Sequence, residues 1–177
     1  MDRQAKIAQL ELNSFTFEVD LTLDELDWTR LLGPDGFGVE LLDEITSLGA
    51  PYFDMGGPEH AHNGNGEVLS FTVDGQRHEL RLDYDQPFLA TLLGGVRDVL
   101  DSVNRALRRA ALPLRYVCLR ESCTGAGCTY RVVLIPPAWL DDLRKEYTLV
   151  TGLCPEDYET TLPARLFDTD EDLSELR

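Results

Sequence analysis

The chain opens on a two-residue alternation. Phe15, Phe17, Val19 and Leu21 fall on one side and Thr16, Glu18 and Asp20 on the other, the pattern of a half-buried strand. Its apolar content extends the strand backward through Ile7 to Leu12. The period then changes. Thr22 and Glu25 stand at capping-box spacing and predict a short helix through Leu23, Leu26, Trp28, Leu31 and Leu32, which Gly33-Pro34 stops. Val39, Leu42, Ile45 and Leu48 recur every three residues and predict a second helix over 39–48, closed by Gly49. The acids of this helix pair, Asp24, Glu25, Asp27, Glu40, Asp43 and Glu44, then line its outer side.

Residues 54–66 are glycine-rich and show no apolar period, which predicts a long exposed loop. Asp74-Gly75 between two alternating runs predicts a two-residue hairpin of the primed-turn type. Its register follows. With Val73 opposite Gln76, Phe71 faces His78 and Leu69 faces Leu80, so Leu69, Phe71, Val73, His78, Leu80, Leu82 and Tyr84 share one face.

Asp85-Gln86-Pro87 starts a long helix to about Ala111, with Leu89, Leu93, Val96, Leu100, Val103 and Leu107 inward. Arg97, Asp101 and Arg105 outward make a charge ladder. Residues 114–121 and 130–135 are apolar on both faces in their middles, which predicts central strands. Pro136-Pro137 leads into an amphipathic helix bearing Trp139, Leu140, Leu143 and Tyr147.

Together these elements predict one α+β domain over 1–154, an antiparallel or mixed sheet of about five strands with helices mainly on one face. An acidic tail over 155–177, partly ordered or docked, follows. A length of 177 residues and an apolar fraction of 43% suit a single domain with a substantial core.

Charge adds what periodicity cannot. Residues 1–75 carry 15 acids and 3 basic side chains, residues 141–177 carry 11 and 4, and the middle reverses the sign with 9 arginines against 6 acids. The net charge of −16 repels nucleic acid and anionic membrane surfaces and attracts basic partners. No apolar run approaches the roughly 18 residues of a membrane helix, and residues 1–6 lead into no signal-peptide core, so a cytoplasmic location is expected. Arginine outnumbers lysine 14 to 2, a bias common in GC-rich bacterial genomes.

Four cysteines, at 118, 123, 128 and 154, are too few for a disulfide scaffold, and reduced thiols are the expectation. His60, His62, Cys123 and Cys128 supply the donor types of a tetrahedral zinc site, but zinc loops favour two to four residues between thiols at a knuckle, and here the four residues 124–127 lie between predicted strands, which argues against the site. A solvated loop and two cysteines at a hairpin end, close enough for a reversible disulfide, explain the same residues. As a nucleophile, Cys123 or Cys128 would need a positive setting and a nearby base, and nothing in the sequence brings a histidine there. His78 opposite Phe71 reads as a core histidine. Residues 33–38, Gly-Pro-Asp-Gly-Phe-Gly, resemble a phosphate loop only in glycine content; they lack the lysine and read as a turn.

With no catalytic constellation, no cofactor and no metal site expected, the composition favours a binding protein over an enzyme. The expectation is an acidic protein-binding module, an inhibitor or immunity-type protein that neutralises a basic toxin or nuclease domain. The partner-binding residues assigned are Asp24, Asp27, Trp28, Asp43 and Glu44, with Trp28 or the nearby Phe37 as apolar anchor and the core as the other place for Trp28. The alternatives are a secretion-chaperone-like adaptor, or a small metal- or thiol-dependent enzyme using the His60/His62 and Cys123/Cys128 loops.

Overall fold

A computed structural model of the chain describes residues 9, 13–20, 37–63, 66–83, 88–124, 126–145 and 147–151. Among them seven strands form two antiparallel sheets, not the one five-stranded sheet the sequence predicts. The elements run β1 (Ser14–Asp20), α1 (Phe37–Gly49), β2 (Met55–Asn63), β3 (Gly66–Val73), β4 (Gln76–Asp83), α2 (Phe88–Arg109), β5 (Arg115–Cys123) and β6 (Gly127–Ile135). A 3-10 turn (Pro137–Trp139), a one-turn helix α3 (Leu140–Leu143) and β7 (Thr148–Thr151) follow. The larger sheet has the order β1-β6-β5-β7 and the smaller β2-β3-β4.

The expected hairpin is present in the expected register: Val73 pairs with Gln76, Phe71 with His78 and Leu69 with Leu80. Its tip is built by two residues with positive φ, Asp74 at 47° and Gly75 at 75°, as a type I′ turn requires. Residues 55–63, predicted to be loop, are instead strand β2, hydrogen-bonded along β3. The alternation is hidden there because β2 lies at a sheet edge and its register slips between Gly56 and Glu59, at Pro58, a residue that edges and bulges tolerate.

β5 and β6 occupy the two central places of the larger sheet, which is why they are apolar on both faces. On one face Tyr116, Cys118, Cys128, Tyr130, Val132 and Leu134 join Leu69, Phe71, Val73 and Leu82 of the smaller sheet in a single core. The buried stripes of both long helices complete it, Leu41, Leu42 and Ile45 from α1 and Val96, Val99, Leu100, Val103 and Leu107 from α2. Each of these helices touches both sheets. The opposite face of the larger sheet carries a smaller core in which Val117, Leu119, Val133 and Ile135 pack against Leu140 and Leu143 of α3. Among the described residues the long helices thus share one side, and α3 with the 3-10 turn before it lies on the other.

Two buried polar side chains join these layers. Asn104 of α2 is fully buried and grips the backbone of Tyr116, donating to its carbonyl at 2.8 Å and accepting from its N–H at 2.8 Å. Among the described residues β7 pairs with β5 from Cys118 to Arg120, and the asparagine amide serves the outward-facing peptide groups of Tyr116. Tyr116 in turn donates its hydroxyl to the Ile45 carbonyl of α1 at 2.7 Å. One residue of β5 therefore fixes both helices.

The predicted helix over 22–32 and the tail over 155–177 lie outside the described residues. Of the predicted backward extension of β1 only Gln9 is described, and it is helical, its carbonyl accepting from the Asn13 N–H at 3.2 Å, which corrects the expectation of a strand there. No described helix is long and apolar enough to cross a membrane.

Candidate functional site: the acidic face of α1

From residue 31 to residue 76 the chain contains eight acids and neither lysine nor arginine, and α1 lies within that stretch. The helix begins at Phe37, two residues earlier than its apolar period predicts, so the last two residues of the Gly-Pro-Asp-Gly-Phe-Gly turn belong to it. Glu67 of β3 sets this start. Fully buried, its carboxylate accepts a hydrogen bond at 2.9 Å from the N–H of Gly38, one of the four amides that a helix N-terminus leaves without an internal acceptor. Gly38 must be glycine for this approach, because a Cβ there would stand 2.7 Å from the carboxylate oxygen and 2.6 Å from Leu69. The contact is invisible in sequence, since Glu67 continues the apolar face of β3 as a charged residue.

With Leu41, Leu42 and Ile45 held inward, Glu40, Asp43 and Glu44 are exposed on the outer side. Of the five residues assigned to partner binding, the structure thus places Asp43 and Glu44 together on one exposed surface and adds Glu40. Asp24, Asp27 and Trp28 lie outside the described residues. Among the described residues no lysine or arginine forms an ion pair with Glu40, Asp43 or Glu44. Elsewhere acids do find partners: Glu59 meets Arg77 at 3.1 Å, and Glu121 meets Arg131 at 2.5 Å. Asp54 and Asp74, both exposed, are brought together where the Asp74 N–H donates to the Asp54 carbonyl at 2.9 Å.

The exposed charges of α2 are mainly of the other sign. Arg97, Arg105, Arg108 and Arg109 are exposed, and Arg97 reaches Asp98 at 4.0 Å, the next residue rather than the Asp101 of the expected ladder. Arg109 acts inward as well: burial, and then this positive charge, hold the His78 imidazole below its ordinary range. His78 stacks on Phe71 with ring centroids 5.3 Å apart, but it is half-buried and covers the edge of the core rather than lying within it as the sequence predicts.

The residues of the alternative metal or thiol site are dispersed. His60 belongs to β2 in the smaller sheet, paired with Leu69, while Cys123 and Cys128 face each other at the end of β5 and β6 in the larger one. Those two cysteines form a disulfide, which corrects the expectation of reduced thiols. Cys118 remains a free thiol, fully buried, and burial pushes it up to about 12. Among the described residues no group of three or more histidine, cysteine, aspartate and glutamate side chains is placed to hold a metal ion.

Comparison with protein-family models, curated proteins and solved structures finds no match to this chain.

Proposed function

We propose that the protein is an acidic protein-binding module, an inhibitor of the immunity type, which covers a basic partner such as a toxin or nuclease domain with the exposed face of α1. One observation carries this reading. Glu40, Asp43 and Glu44 project from a helix whose other side is locked into the core, and among the described residues no basic side chain neutralises them. Charges left in this state cost folding stability through mutual repulsion and return nothing within the fold, whereas they accelerate encounter with a positive surface. Rigid attachment adds to the effect, because an ordered helix loses little further entropy on binding.

The test is a titration of the full chain against isolated basic nuclease domains, with residual nuclease activity as readout. A saturating endpoint at one inhibitor per nuclease for at least one member of the panel, lost in the Asp43→Lys/Glu44→Lys variant, is the expected result. Inhibition that the double variant preserves would remove α1 from the interface.

A further inference from the structure

We propose that Cys123 and Cys128 form a reversible thiol–disulfide exchange site for low-molecular-weight dithiols, in which Cys123 receives the incoming sulfur and Cys128 leaves. None of the acidic residues of α1 takes part.

The backbone of β5 makes this pair possible. From Cys118↔Val132 to Arg120↔Tyr130 the β5–β6 ladder keeps one register, in which Cys128 would face Ser122 and Cys123 would face Gly127 on the opposite side of the sheet. A shift between Arg120 and Ser122 inserts one extra residue, and Cys123 then pairs with Cys128. A bulge re-aims the side chains that follow it, and here it turns Cys123 onto the face that Cys128 already occupies.

The turn does not depend on the sulfur bond. The Thr124 N–H donates to the Gly127 carbonyl at 2.8 Å, and the Ala126 N–H donates to the Thr124 hydroxyl at 3.3 Å. With a sequence separation of only 5, the disulfide closes a short loop, so opening it releases little chain entropy. After reduction the ladder still holds the two thiols face to face, ready to close again.

Exposure assigns the roles. Cys123 is exposed, whereas Cys128 is 3% exposed and belongs to the core. A thiolate of the dithiol attacks the Cys123 sulfur, the Cys123–Cys128 bond breaks, and its electron pair leaves on Cys128, which takes a proton from water. The second thiol of the reagent, deprotonated, attacks the mixed disulfide, expels Cys123 as a thiolate that is then protonated, and closes the reagent's own disulfide. The protein gains two electrons and two protons, and the dithiol loses them. Cys118 stays out of this chemistry because it is fully buried and its thiol resists ionisation.

The experiment equilibrates the native full-length protein with graded mixtures of reduced and oxidised dithiothreitol, then quenches with an alkylating reagent and maps the labelled peptides. Reduction should add label at Cys123 and Cys128 but not at Cys118, with an unchanged circular dichroism spectrum, and oxidised reagent should reverse it. In partially reduced wild-type protein, Cys123 should alkylate more than about tenfold faster than Cys128. Glutathione should be trapped on Cys123 in Cys128→Ser; the wild-type rates serve the same purpose if that variant does not fold. Reduction only in denaturant, failure to re-form the bond, or preferential labelling of Cys128 would each overturn the proposal.

Discussion

The two long helices solve the same packing problem and present opposite surfaces. α1 and α2 each bury an apolar stripe in one shared core and each touches both sheets. Outward, α1 shows Glu40, Asp43 and Glu44 with no basic partner among the described residues, while α2 mixes exposed Arg97, Arg105, Arg108 and Arg109 with acids, including the Arg97–Asp98 pair. The inward sides are interchangeable in kind and decide the fold. The outward sides differ in sign and in neutralisation, and that difference is where function is to be sought. The helices also differ in attachment: α1 is tied at two points, Gly38 to Glu67 and Ile45 to Tyr116, and α2 through the Asn104 side chain in its C-terminal part.

If the inward sides decide the fold, the largest losses should come from the core the helices share. Phe71→Ala should destabilise by about 3 to 4 kcal/mol in urea unfolding, through lost burial and the cavity beneath His78. Thr72→Ala, on the other face of the same strand, should stay within about 0.5 kcal/mol. Equal midpoints for the two variants would mean that the hairpin faces are assigned wrongly.

Asn104→Leu separates the attachment of α2 from its packing. Leucine preserves apolar volume but leaves the Tyr116 N–H and carbonyl without the partner that Asn104 provides, and a loss of about 2 to 3 kcal/mol is expected. A neutral result would show that water or neighbouring backbone satisfies these groups.

A smaller effect belongs to Cys118. Its folded value is raised above the ordinary one, so its contribution is complete below about pH 9 and is lost as pH rises toward about 12. Wild-type stability should therefore fall by about 1 kcal/mol between pH 8 and pH 10 from this group. Cys118→Ala should be less stable throughout but flatter over that range, as chemical denaturation at successive pH values would show.

Several of these features are readable before any coordinates. The β3–β4 register follows from strict alternation around Asp74-Gly75, α1 and α2 follow from helical apolar periods, and β5 and β6 from short runs apolar on both faces. What escapes is whatever depends on a partner distant in the chain. β2 hides because an edge strand needs only backbone pairing, so glycine, Pro58 and His60 serve as well as apolar residues. Glu67 reads as a break in the pattern until the start of α1 arrives above it, 29 residues away in sequence. Asn104 reads as a polar residue on a helix until its amide is seen to meet the Tyr116 N–H and carbonyl. The cysteine pair depends on a bulge, and a shift of one residue in register has no signature in composition. The acidic surface was legible in part: charge segregation marks α1, while its lack of neutralising partners is a fact of three dimensions.

The smallest effect on stability and the largest on binding should come from the outer charges. Asp43→Lys/Glu44→Lys on α1 and Arg105→Glu/Arg109→Glu on α2 should both leave the urea midpoint within about 0.5 kcal/mol of wild type, as exposed substitutions do. Their association with a basic nuclease domain that the protein inhibits, followed by stopped flow between about 50 and 200 mM salt, tests the central claim most directly. Wild type should associate fast and slow steeply with salt, the α1 variant should be at least about tenfold slower and nearly insensitive to salt, and the α2 variant should match or exceed wild type. Equal rates for the α1 variant and wild type across the salt range would contradict the assignment of α1 as the binding face.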